Sequence, residues 1–190
     1  AGRGGSDVTV TVLLAVAVLG YDLYHKPWPG SVVVMGGCRT LLYLAAASPL
    51  VTSPWTSPAL LPGLVLGAYI VGLSLIARQE SRRAEGVSPA VWPLLLLLVT
   101  PVLLSLYQAA HLQKTRPVAV GIGLILWISH AVRRMRSDPP RSIGPAVGKL
   151  LAGIAWVDAL AVAPSHPRTS LLFVALVPLL RLWQRHIAAT

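Results

Sequence analysis

Seven apolar runs, each long enough to cross a lipid bilayer and each closed by turn residues, constrain this chain more than any other feature. They fall at about residues 8–24, 31–48, 59–77, 90–112, 117–132, 143–163 and 170–187, close to the roughly 17 to 25 residues that a transmembrane helix needs. In hydrocarbon every backbone N–H and C=O must find its partner inside the protein, which leaves only helices and closed barrels. Period-2 alternation is absent, which argues against a barrel. The expected fold is therefore all-α, a polytopic transmembrane bundle of about seven helices, with residues 1–190 forming a single domain.

Composition narrows the function classes. Only 12% of the residues are charged and the mean hydropathy is +0.69, against roughly 25% charged residues in an ordinary soluble domain. The net charge of +10 comes from 16 cations scattered between the apolar runs. With no basic stripe or aromatic platform, nucleic acid is not the expected partner. The cations read instead as anchors to membrane lipid and as anion ligands. A single cysteine, Cys38, excludes an intrachain disulfide and any multi-cysteine metal site. Walker, G-x-S-x-G, H-E-x-x-H and C-x-x-C patterns are missing, and the histidines show no metal-ligand spacing.

Cation counting orients the spans. If the seven helices cross in turn, Lys26, Arg78, Arg82, Arg83, Arg133, Arg134, Arg136, Arg141, Arg181 and Arg185 share one side, while Arg3, Lys114, Arg116 and Arg168 share the other. The first side is expected to be cytoplasmic, which puts Lys26 and Glu80 there. The first residues then fall outside, so a cytoplasmic N-terminus would require an odd number of further helices upstream. Since the sequence begins Ala1-Gly2-Arg3 without Met and shows no signal-peptide cleavage pattern, it reads as part of a longer chain.

Ionisable residues among such segments need water, a partner or a polar ligand. Tyr21-Asp22-Leu23-Tyr24-His25-Lys26 closes the first run. On a helix, Asp22 faces the same way as Lys26, and Tyr21 the same way as His25. Lys26 and His25 can snorkel to headgroups while Asp22 pairs with Lys26, or the group can receive an anion. Arg39 lies about eight residues into the second run, where an unpaired Arg costs roughly 2.5–3.5 kcal/mol. Its partner is either Asp22 or a phosphate, which a guanidinium binds as a fork. Glu80, in Ala77-Arg78-Gln79-Glu80, can coordinate Mg²⁺ or pair with Arg78 or Arg83 on an ordinary basic flank. Asp158 sits deep in the sixth run, two and a half turns from Lys149, and calls for a partner on another helix or a protonated state. Gly63-x-x-x-Gly67 and Gly144-x-x-x-Gly148 suit close helix packing.

The order of these features carries a resemblance. Tyr and Lys close one helix, Val32-Val33-Val34-Met35-Gly36 opens the next, and Gly67-Ala68-Tyr69-Ile70-Val71-Gly72 runs into Ala77-Arg78-Gln79-Glu80. The chain resembles the later part of a UbiA-type intramembrane prenyltransferase. It is most similar to the EboC-like branch, whose hallmarks include a Met-Gly-x-Cys-Arg segment, an Ala-Arg-x-Glu helix end and a C-terminal ending like Gln184-Arg185-His186-Ile187-Ala188-Ala189-Thr190. The resemblance implies a helical bundle around a lateral cavity, with an isoprenyl diphosphate held by Mg²⁺ between two Asp-rich motifs near the cytoplasmic face. The first motif, Asn-Asp-x-x-Asp, does not occur here, in keeping with a C-terminal part of a longer UbiA-like protein. Nine spans are usual in the family, whereas three missing and seven counted make ten.

Residue by residue, Lys26 matches the lysine of a Tyr-x-x-x-Lys element, with Asp22 at the tyrosine position and Tyr21 beside it. Glu80 falls where the second Asp-rich motif begins, and Ala84 stands where its second carboxylate would be. The implied diphosphate ligands are Tyr21, Lys26, Arg39 and Arg78, and the implied magnesium ligands are Glu80 and Asp22. No single catalytic residue is assigned. The implied activity is transfer of an isoprenyl group from an isoprenyl diphosphate to an aromatic or other lipophilic acceptor, in a bacterial-type plasma membrane. The alternatives are a non-catalytic UbiA-like protein that binds lipid or transports a metabolite, and a helper subunit of biosynthetic partner enzymes.

Overall fold

A computed structural model of the chain describes residues 8–24, 28–83, 92–112, 115–137 and 143–186. Every long element among them is helical, and none is a strand. In order they are α1 (Val8–Tyr24), α2 (Ser31–Ala47), α3 (Leu60–Arg83), α4 (Trp92–Leu112), α5 (Arg116–Ser137), α6 (Ile143–Ala152), α7 (Ile154–Val162) and α8 (Pro167–His186), with two 3₁₀ turns between α2 and α3.

Each of the seven apolar runs is helical over its described residues, with three departures from expectation. Five helical stretches are long and apolar enough to cross a membrane: Ser31–Leu50, Leu60–Arg78, Trp92–Leu112, Arg116–Met135 and Gly144–Val162. α1 has 17 residues, at the lower limit for a span. In α8 the charges Arg168 and Arg181 confine the apolar stretch to residues 170–180. α3 continues beyond its apolar part to Arg83, because Gln, Glu and Arg are good helix formers even where they leave the apolar phase. The sixth run breaks at Gly153, whose N–H is shared between the carbonyls of Lys149 (3.1 Å) and Leu150 (2.9 Å). That is a local tightening toward i→i+3 bonding.

The outward surface is apolar. Val8, Leu23, Leu172 and Trp183 are each about two-thirds to three-quarters exposed. So much bare hydrocarbon is incompatible with water and suits lipid, so the architecture is that of an integral membrane protein.

Two compact units divide the chain, Ala1–Val71 and Gly72–Thr190. In the first, α1 packs along α2, and α2 meets α3 at glycines. A Cβ on Gly36 would come within 2.6 Å of the Gly67 carbonyl oxygen, and one on Gly67 within 2.8 Å of the Gly36 oxygen, so the two backbones touch. The Thr40 hydroxyl then donates across the contact to the Gly63 carbonyl at 3.0 Å. Gly63-x-x-x-Gly67 is thus a helix-packing motif. Gly148 is different, since its nearest neighbours across the interface are the side chains of Gln184 and Arg181.

In the second unit α4 packs on α5, which packs on α6 and α7, and α8 packs on both of those. α4 carries Pro101, and hydroxyls brace the helix around it: Thr100 donates to Leu96 O at 2.6 Å and Ser105 to Pro101 O at 2.7 Å. Gly123 leaves space for the ring of Trp156. Trp127 and Trp156 cover a small core of Ala152, Ala155 and Val177.

Candidate functional site

The site begins with the hairpin of α1 and α2. Trp28-Pro29-Gly30 turns the chain: Val33 N–H bonds Gly30 O at 2.9 Å and Ser31 N–H bonds Trp28 O at 3.2 Å, while the Trp28 indole covers Gly30. The two helices therefore run antiparallel. A residue's distance from the hairpin then measures its depth on both, at about 1.5 Å per residue.

Between the helices lies a cavity of about 350 Å³ lined by Leu14, Val18, Tyr21, Met35, Cys38, Arg39 and Leu42. Met35, Cys38, Arg39 and Leu42 are spaced i, i+3, i+4 and i+7, one face of α2. Leu14, Val18 and Tyr21 do the same for α1. Tyr21 and Met35 lie toward the hairpin and Leu14 and Leu42 deepest, with Arg39 between them, eight residues into α2 or about 12 Å along its axis. Arg39 is exposed on the wall of this cavity. A second cavity of about 280 Å³, lined by Ala17, Gly20, Tyr21, Trp28, Ser31 and Val34, lies toward the turn. Tyr21 is the one lining residue common to the two.

Asp22 lies beside the same seam, for Cys38 is within electrostatic reach of both Arg39 and Asp22. The structure thus brings together Tyr21, Asp22 and Arg39 from two helices of one unit. Arg78 is half-buried in the second unit, at the end of the apolar part of α3, and is engaged in an interaction. Glu80 lies in helical backbone in the extension of α3. Its side chain, and the whole of Lys26, lie outside the described residues.

Mg²⁺ takes carboxylates, waters and substrate phosphates in an octahedron. Asp22 is the single carboxylate described beside the cavity, and among the described residues no group of three or more His, Cys, Asp or Glu could hold a metal ion. Of the two expected magnesium ligands, the described side chains thus supply Asp22, and no step is routed through a metal.

Sequence reasoning singled out Tyr21 and Arg39 but missed the rest of the cavity wall. The i, i+3, i+4, i+7 spacing was there to read. In helices that are apolar on every side, however, periodicity separates the faces poorly.

What the site offers chemically is a guanidinium and a phenol in an apolar groove that continues past them toward the middle of the span. A small anion would need only the first part, whereas an amphiphile with an anionic head and a hydrocarbon tail would use both. Comparison with protein families, with curated proteins and with solved structures finds no match to the chain.

Proposed function

We propose that the α1–α2 groove holds an isoprenyl diphosphate and that the protein transfers its isoprenyl group to a lipophilic acceptor. The observation that carries this reading is Arg39, a cation at span depth on the wall of a groove whose other lining residues are Leu14, Val18, Tyr21, Met35, Cys38 and Leu42. The guanidinium would donate to phosphate oxygens and the Tyr21 hydroxyl to a neighbouring oxygen, with the tail along Leu14 and Leu42. The resemblance to UbiA-type enzymes supplies the reaction. The allylic C–O bond breaks and its electron pair leaves with pyrophosphate. The carbocation then bonds to a nucleophilic carbon of the acceptor, which gives up a proton.

Two features of the chain suit that chemistry. A cation already in place at low dielectric stabilises the charge that builds on the leaving group without reorganising. The apolar walls keep water from the carbocation. With all seven runs crossing in turn, cation counting along the sequence would put the hairpin end of the groove on the cytoplasmic side.

The test uses the purified chain in detergent micelles with labelled farnesyl and geranylgeranyl diphosphate and a panel of aromatic acceptors. Release of pyrophosphate with label transferred to an acceptor, lost in Arg39→Gln, is the expected result. Binding without release would favour the lipid-binding alternative. No binding at all would remove both.

A further inference from the structure

The second cavity of the α1–α2 hairpin differs in character from the Arg39 groove. It measures about 280 Å³ and is lined by Ala17, Gly20, Tyr21, Trp28, Ser31 and Val34. Ala17, Gly20 and Tyr21 are spaced i, i+3 and i+4 on one face of α1, and Ser31 and Val34 stand i and i+3 on α2. Two of the three α1 positions fill little of the space between the helices, and a Cβ on Gly20 would meet nothing within 4 Å.

Aromatic rings form part of the wall. Trp28 packs its indole on Gly30, where a Cβ would come within 2.6 Å of the ring, and its carbonyl accepts from Ser31 N–H at 3.2 Å. Tyr21 supplies the second ring, and it borders the Arg39 groove as well.

Size, lining and charge select the occupant. An apolar cavity of roughly 150 Å³ holds one benzene, so about 280 Å³ admits two fused rings. Two aromatic side chains suit a flat partner, because rings gain from edge-to-face and offset contacts with one another. None of the six lining residues carries a charge, so a carboxylate would give up its water there without gaining a cation from the lining. The polar side chains in the lining include the hydroxyls of Tyr21 and Ser31, which suit a phenolic O–H.

We propose that this cavity binds a neutral aromatic ring of the phenol or quinol class and that this ring is the isoprenyl acceptor. Its role as acceptor rests on the transferase reading above. The shared Tyr21 places the ring beside the diphosphate head, as the reaction requires. The ring carbon ortho to the hydroxyl bonds to the isoprenyl carbon whose C–O bond to pyrophosphate breaks. Its proton passes to the departing pyrophosphate, and the ring regains its aromaticity.

The test uses the whole chain in nanodiscs with tritiated 1-naphthol, with 1-hydroxy-2-naphthoate, which adds a carboxylate to the same rings, and with farnesyl diphosphate. Gly20→Leu projects into open space, and thermal unfolding checks that the variant is intact. Wild type should bind 1-naphthol more tightly than the naphthoate, and Gly20→Leu should weaken naphthol at least about 10-fold, because an overfilled cavity opposes the ligand. Absence of naphthol binding, equal binding by both proteins, or a naphthoate bound as tightly as naphthol overturns the proposal. If wild type holds naphthol in this cavity but no farnesyl diphosphate, the transferase reading falls and the ring site stands. Label transfer to naphthol that persists in Gly20→Leu keeps the transferase reading and removes this cavity from it. Should Gly20→Leu not fold, Trp28→Leu, which removes one aromatic wall, must weaken naphthol binding in the same way.

Discussion

Tyr21 of α1 and Arg39 of α2 line one cavity, though 18 residues and a turn separate them in the chain. Everything proposed for the first unit depends on that juxtaposition, and it opposes stability to function at one residue. An Arg at span depth costs roughly 2.5–3.5 kcal/mol on the insertion scale, so Arg39→Leu is expected to raise the melting temperature in detergent. Loss of one member of a desolvated charge pair costs about 2–5 kcal/mol, so the same substitution should weaken isoprenyl diphosphate binding at least about 30-fold. Arg39→Lys, which keeps the charge and loses the fork, should fall between. Calorimetric titration and thermal unfolding of the three proteins decide it. A leucine variant that binds like wild type would remove Arg39 from the site.

Tyr21 borders two cavities, of about 350 and 280 Å³. Tyr21→Ala should open one into the other and lengthen the space that an isoprenyl tail can fill. The expected outcome is a shift of preference toward longer diphosphates, whereas Tyr21→Phe, which keeps the ring, leaves chain-length preference in place. Competition among diphosphates of graded length measures the shift.

Two adjacent glycines of α2 make opposite predictions. A Cβ at Gly36 would lie 2.6 Å from the Gly67 carbonyl oxygen, while one at Gly37 meets nothing within 4 Å. Gly36→Ala must push two backbones apart and is expected to cost about 1–3 kcal/mol. Gly37→Ala meets no obstacle and gains up to about 1 kcal/mol of helix propensity. Chemical unfolding in mixed micelles should therefore move in opposite directions for neighbouring residues. Equal effects would mean that the α2–α3 contact does not hold in solution.

That contact also shows what the sequence made legible. Gly63 and Gly67 announced a close approach because small residues four apart leave a groove on a helix, and the apolar runs marked the helices because lipid permits little else. The end of α3 was not legible, since Gln79 to Arg83 are polar enough to look like a loop flank but helical enough to continue the element. The break at Gly153 was hidden for the reverse reason, that a lone Gly in an apolar run is usually carried along by its helix. Lys149 was seen to lie two and a half turns from Asp158, the carboxylate on its own apolar run, and so was left without a named companion. Its observed companion is the face of Trp127, 22 residues upstream on another helix, and no local pattern encodes such a pairing. The groove was half visible: Arg39 stood out by its charge, whereas Leu14, Val18 and Met35 are marked only by their position around the helix.

The Trp127 indole tests how the broken span is held. Its N–H donates to Lys149 O at 2.9 Å, an oxygen that also accepts from Gly153 N–H at 3.1 Å. Trp127→Phe removes the indole donor yet leaves that carbonyl satisfied by the backbone. The usual penalty of an orphaned acceptor is therefore absent, and the cost should be about 1 kcal/mol or less. Trp127→Ala loses the ring as well, and with it the cover over Ala152, Ala155 and Val177. Large-to-small losses of that kind cost about 3–5 kcal/mol. Thermal unfolding should thus place Phe close to wild type and Ala far below. A Phe variant as unstable as Ala would mean that the indole hydrogen bond, rather than the ring, holds α6 and α7 against α5.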